Sequence, residues 1–151
     1  GLSAAQNLSM IFAERFKFFP LVNSRKENGV AHDWFERLDV RPRQVKKDLE
    51  SFSGGNQQKV VLAKWLKSKS LSLLLLDHPL RGLDPGAAAT VNTLIRSTVD
   101  QGTSVLLLSD TLEEALEMAD RIIVMRDGEI SGLYDLHVDQ PSTLDLLEKM
   151  V

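Results

Sequence analysis

Three short apolar runs, separated by helix-like segments, restrict the fold of this chain more than any other feature. Residues 73–76 read Leu-Leu-Leu-Leu and stop at Asp77; residues 104–108 read Ser-Val-Leu-Leu-Leu; residues 121–125 read Arg-Ile-Ile-Val-Met. Between the first two, Ala88, Val91, Leu94, Ile95 and Val99 share one face of a helix expected over about residues 86–101. Gln101-Gly102 is the glycine stop that closes it. Leu112, Ala115, Leu116 and Ala119 repeat the helical spacing before the third run. Strands apolar on both faces and alternating with helices predict a parallel sheet covered by helices, an α/β fold. Ligands of such sheets gather at the carboxyl ends of strands. Asp77 and Asp110 stand at or just past two such ends. Asp127-Gly128 predicts a tight hairpin turn into residues 129–134, and Ser142 the N-cap of a last helix.

The first fifty residues read as helical. Leu8, Ile11, Phe12 and Phe16 have helix-like spacing, and so do Val30, Trp34, Phe35 and Leu38. Pro20 and residues 23–29 predict a break between two helices, and Pro42 the end of the second or the start of the next. Phe12, Phe16, Phe18, Phe19, Trp34 and Phe35 crowd this segment, and a small helical core is favoured over an apolar docking surface.

Composition excludes several classes. The 151 residues are 43% hydrophobic and 26% charged, enough for one ordinary core. Eighteen basic against 21 acidic residues leave a net charge of −3. A general nucleic-acid binder needs clustered positive charge instead. Arg41, Arg43, Lys46 and Lys47 are read as a solvated face. There is no cysteine, so neither disulfides nor thiolate metal sites arise, and His32 and His137 lack metal-ligand spacing. The run at residues 71–76, interrupted by Ser72, falls far short of the ~20 residues a membrane span needs. No basic-then-apolar leader opens the chain, and a cytosolic place is expected, free or peripheral on a membrane partner.

Residues 52–59 carry the chemistry: Phe-Ser-Gly-Gly-Asn-Gln-Gln-Lys, followed at once by a helix-forming run. Ser53 is a good N-cap residue, expected to accept from a backbone N–H one turn on. Gly54 and Gly55, lacking Cβ, let another group approach the backbone. The free N–H groups of a helix start and its dipole form an anion site. A plain turn with a cap explains the same residues equally well on their own. Asp77, closing an apolar strand, suits a Mg²⁺ ion held directly or through water, or else caps the next element. In Arg81-Gly82-Leu83-Asp84-Pro85-Gly86, Asp84 is expected to cap a helix with Pro85 at its first position.

Taken in order, Ser53-Gly54-Gly55-Asn56-Gln57-Gln58, the apolar strand with Asp77, Gly82-Leu83-Asp84, Ser109-Asp110 and the Asp127-Gly128 hairpin resemble the ATP-binding cassette (ABC) ATPases. The wording around Gly54 to Leu66, with Arg81 to Asp84, is most similar to the ATPase subunits of bacterial ribose/galactose-type sugar importers. The resemblance covers nearly the whole chain. It implies a helical subdomain with the signature motif over residues 1–68 and part of a RecA-like, P-loop NTPase core over residues 69–151. It implies that Ser53, Gly54, Gly55 and Asn56 form the signature loop, that Asp77 is the Walker B aspartate, and that Gly82 to Asp84 are the D-loop, with Gln57 and Asp84 also at the nucleotide.

Three departures bear on function. No Gly-x-x-x-x-Gly-Lys-Ser/Thr occurs, so the cradle and lysine for the β- and γ-phosphates are absent. The chain is therefore expected to begin inside the helical subdomain, with the Walker A strand missing. His78 stands where the family has its catalytic glutamate. A neutral imidazole accepts a proton but brings no negative charge, so a degenerate site is expected. Asp110 occupies the switch-histidine position, where a carboxylate repels a γ-phosphate; this suits a C-terminal, less active cassette.

The resemblance thus implies the ATP-binding subunit of a sugar importer, in part, working with ATP and Mg²⁺ but binding them weakly or not at all alone. Its partners would be a second cassette and, through the helical subdomain, membrane-spanning permease subunits. It would lie in the cytoplasm on the inner face of the membrane. An alternative is a non-hydrolysing fragment that dimerises or docks, with self-association through the gap left in the sheet. Nucleic-acid-associated ABC ATPases rank last, since they carry coiled-coil or zinc insertions that are lacking here.

Overall fold

The computed structural model describes residues 1–11, 17–18, 21–68 and 71–151, with backbone only at residues 17–18 and 21–22. Phe12, Phe16, Phe19 and Pro20, named above for a helical face, an aromatic cluster and a break, lie outside the described residues. Two compact units divide the chain, Gly1–Leu107 and Leu108–Val151.

The first unit opens with helix α1 (Ala4–Ser9), started by a reciprocal capping box between Ser3 and Gln6. Two-residue strands β1 (Lys17–Phe18) and β2 (Leu21–Val22) pair antiparallel. Helix α2 (Ser24–Arg37) follows, and it corrects one expectation: residues 23–29 are not a break. The side chain of Asn23 accepts from the Lys26 N–H and caps the helix, which runs through Gly29. Glycine inside a helix costs about 1 kcal/mol. Burial of Ala31, Trp34 and Phe35 on the same helix outweighs that. After a 3₁₀ turn at Leu49–Ser51 comes α3 (Gly54–Leu66), which buries Val60, Leu62, Ala63 and Leu66. Phe35 and Phe52 meet edge to face at 5.9 Å and 90°, so the helical core expected around Phe35 is present.

Strand β3 (Leu73–Asp77), helix α4 (Pro85–Asp100) and strand β4 (Ser104–Leu108) complete this unit, and β3 and β4 lie side by side in one small parallel sheet. Their entry is fixed by two bonds, from the Ser104 N–H to the Ser72 carbonyl at 3.0 Å and from the Thr103 hydroxyl to the Leu71 carbonyl at 2.9 Å. Helical cover on both faces is not what the strands have. Leu74 and Leu76 are buried, but Leu73, Leu75 and Leu106 are 54%, 64% and 49% exposed. Successive strand residues point to opposite faces, so one face is covered and the other is open.

In the second unit, α5 (Leu112–Met118) is capped by Thr111. Strands β5 (Arg121–Arg126) and β6 (Glu129–Asp135) form an antiparallel hairpin. Asp127 and Gly128 both have positive φ, 50° and 83°, the left-handed pair that a two-residue type I′ turn requires. Among the described residues β5 pairs with β6 and not with another parallel strand. A two-residue turn brings its own partner at once, whereas a parallel neighbour needs a long crossover. Helix α6 (Thr143–Met150) starts with a capping box of Ser142 and Asp145 and covers Ile122 and Val124 with Leu146.

Candidate functional site

Ser53 holds the N-cap position of α3, but its hydroxyl does not cap the helix. Instead Ser53 Oγ accepts from Asn56 Nδ2 at 2.9 Å, and Asn56 Oδ1 accepts from the Arg41 N–H at 3.0 Å. Asn56 thereby outcompetes the backbone for the serine oxygen. The first N–H groups of any helix lack intrahelical partners, so those of Gly54 and Gly55 stay open to an outside acceptor. Nothing lies within 4 Å of where a Cβ on Gly54 would be. Gln57 turns the other way, donating from Nε2 to the Phe52 carbonyl at 2.8 Å, which ties the loop to the helix it precedes.

At the end of β3, Asp77 presents a carboxylate that is 80% exposed, with His78 Nε2 3.6 Å from its Oδ1. His78 has φ 46°, a left-handed turn that ends the strand. A single exposed carboxylate is a hard oxygen donor, the kind of ligand that Mg²⁺ takes. No group of three or more His, Cys, Asp or Glu residues arranged for a metal occurs among the described residues. Asp84 does cap α4: its Oδ1 accepts from the Ala87 N–H at 3.0 Å, with Pro85 in the first turn. That bond foremost, with the Lys59 ammonium assisting, holds the Asp84 carboxyl below its usual range.

Gly55, Gln58 and Lys59 of α3 all meet the loop after β3. A Cβ on Gly55 would lie 3.1 Å from the Gly82 carbonyl oxygen. Gln58 Nε2 donates to the carbonyls of His78 and Pro79 at 3.2 and 2.8 Å. Lys59 Nζ stands 4.0 Å from Asp84 Oδ2. The residues named from sequence at the start of α3, the β3 end and the 82–84 turn are therefore neighbours within the first unit. Gln58 and Lys59 add to the residues that the sequence pattern marks. A lysine on the same helical face as buried Leu62, Ala63 and Leu66 is the signal that could have marked Lys59. Asp110 belongs to the second unit, where its N–H donates to Glu114 Oε2 at 2.9 Å beside the Thr111 cap.

Curated relatives align along most of the chain. A ribose import ATP-binding protein of Rhizobium meliloti (strain 1021) is 35% identical over 135 residues, 89% of this chain and 27% of the relative. An arabinose import ATP-binding protein of Azospirillum brasilense is 40% identical over 133 residues, 86% and 25% respectively. The chain is thus similar, along most of its length, to ATP-binding proteins of ribose and arabinose import. It spans about a quarter of the length of the curated relatives it matches. Solved ABC structures share the fold. A dimeric bacterial ABC transporter cassette matches with TM-score 0.74 and 21% identity, over 89% of this chain and 57% of that one. The ATP-binding subunit of an ABC transporter matches with TM-score 0.76 and 19% identity, over 98% and 62%. No protein-family model matches. No helix among the described residues is long and apolar enough to cross a membrane.

Proposed function

We propose that this ABC segment is the signature-loop part of a sugar-importer ATP-binding subunit, and that it serves a nucleotide held by the opposite cassette. Ser53 gives its hydroxyl, and the amides of Gly54 and Gly55 their N–H groups, to the γ-phosphate; Asn56 and Gln57 hold the loop in shape. The observation that carries this reading is the open first turn of α3, where the serine that should cap the helix leaves its amides uncapped. Asp77 would supply one oxygen to Mg²⁺. His78, at the catalytic glutamate position, and Asp110, at the switch-histidine position, make the chain's own site a degenerate one. When bound, the nucleotide supplies the phosphate charge that draws two cassettes together. The helical segment would pass that closure to permease subunits at the inner membrane face. The names of the relatives support sugar import as the setting.

The test has two arms. The chain alone hydrolyses no ATP above background; magnesium-dependent turnover that is lost in both Ser53→Ala and Asp77→Asn would overturn this. An intact sugar-importer cassette loaded with ATP retains the chain, and Ser53→Ala weakens retention at least about tenfold, or ~1.4 kcal/mol.

A second reading, a fragment that self-associates, is favoured by the open leucine face of β3 and β4. Sedimentation at high concentration decides it: a stable monomer removes this reading.

A further inference from the structure

Lys59 lies on the buried face of α3 and is itself only 7% exposed. Moving an ammonium out of water costs several kcal/mol, so it is tolerated inside a protein only with partners. Among the described residues Lys59 has two, on different segments. Its Nζ donates to the Asp39 carbonyl at 3.3 Å and faces Asp84 Oδ2 at 4.0 Å. Asp39 sits just past α2 with φ 45°, its carboxylate engaged by Arg41 Nε at 3.0 Å. Asp84 opens α4 two residues after Gly82.

We infer that Lys59 is a positioning residue that fixes the turn at residues 82–84 to α3 and to the end of α2, so that the open first turn of α3 and this turn move as one body. Gly55 lies close against the Gly82 carbonyl, and Gln58 holds the carbonyls of His78 and Pro79 earlier in the same loop, but neither carries a charge. The charge makes the tie conditional. If the turn withdraws, the ammonium keeps one carbonyl and must be hydrated, which its burial opposes. Asp84 in turn keeps its carboxylate ionised beside Lys59 while it caps α4. The geometry stands independently of any nucleotide; its functional meaning rests on the in-trans reading above.

The test uses the whole isotope-labelled chain as wild type, Lys59→Met, Lys59→Arg, Asp84→Asn and the double variant Lys59→Met/Asp84→Asn. Amide exchange is followed at Leu83 and Ala87, whose N–H groups donate to the Leu80 carbonyl at 3.1 Å and Asp84 Oδ1 at 3.0 Å. Lys59→Met speeds exchange at both at least about tenfold, with Ala5 in α1 within about twofold as the folding control. Lys59→Arg restores protection. Asp84→Asn, which keeps a cap acceptor, matches Lys59→Met, and the double variant adds nothing further. The Asp84 carboxyl titrates at higher pH in Lys59→Met. Exchange at Leu83 and Ala87 within twofold of wild type in Lys59→Met, or additive effects in the double variant, overturns the inference. Retention by an ATP-loaded cassette is measured alongside. If even wild type is not retained, the in-trans reading fails, and the exchange comparison still decides the role of Lys59.

Discussion

Gly55 and Gly82 approach so closely that a Cβ on Gly55 would stand 3.1 Å from the Gly82 carbonyl oxygen. Gly82 has φ 76°, and the loop leading to it is held by Gln58 at the carbonyls of His78 and Pro79. The carbonyl therefore has little room to retreat. The neighbouring Gly54 has nothing within 4 Å of its own missing Cβ. Two adjacent glycines in one helical turn thus differ in kind: one is required by packing and one is not.

Alanine substitution separates them. Gly54→Ala gains about 0.4–1 kcal/mol, because a helical site accepts alanine and the unfolded chain loses freedom. Gly55→Ala forfeits that gain against the Gly82 carbonyl and falls below wild type. Urea unfolding of the two variants checks the order; equal stabilisation by both would show that the contact yields.

The two faces of β3 respond differently to mutation. Leu74→Ala or Leu76→Ala costs about 2–5 kcal/mol, since both side chains are buried. Leu73→Thr or Leu75→Thr changes stability by only about 0.5 kcal/mol, as expected at exposed positions. The same exposed-face variants lower any self-association seen by sedimentation, while the buried-face variants lower the unfolding midpoint.

Acid sensitivity has identifiable sources. Hydrogen bonding to Arg41 holds the Asp39 carboxyl below 3.8, the Ala87 amide does so for Asp84, and the Ser142 hydroxyl and amide do so for Asp145. The folded state therefore takes up these protons less readily than the unfolded chain. Their stabilisation is complete above 3.8 and is lost as pH falls through the lower folded values. Denaturant midpoints stay level from these groups above about pH 5 and drop below pH 4. Asp84→Asn and Asp145→Asn each flatten part of that drop.

The hairpin turn of the second unit tolerates one exchange and not another. Both turn residues have positive φ, so Asp127→Asn is close to neutral, whereas Gly128→Val costs roughly 1–2 kcal/mol or more. Thermal melting of the two variants provides the comparison.

Punctuation was the most legible part of the chain. The Asp127-Gly128 turn, the Ser142 cap and Asp84 with Pro85 all occur where expected, because each acts through its own backbone within a few residues. The strands at residues 73–77 and 104–108 were also legible from their apolar runs. What covers them was not: leucine at successive positions says that both faces are apolar, not that both are buried. Asn23 reads as part of a break in sequence, although it caps α2, because Asn and Gly mark turns and caps alike. Ser53 reads as a side-chain cap in sequence because its competitor, Asn56, lies one helical turn away and shows no preference until the turn is formed. The ties made by Gln58 and Lys59 cross about twenty residues of chain, beyond the reach of periodicity.

The Asn56 amide has a direction, and the direction reaches the protein surface. The Arg41 N–H can only donate, so the oxygen of Asn56 must face it at 3.0 Å and its NH₂ must face Ser53 at 2.9 Å. Ser53 is then already an acceptor, and its own hydrogen points away from Asn56. Three groups form a relay with a single polarity, running from a backbone amide outward to a hydroxyl proton. Such a relay offers an anion a donor at its outer end; reversing the amide would set two donors face to face at Arg41 and turn the serine hydrogen inward.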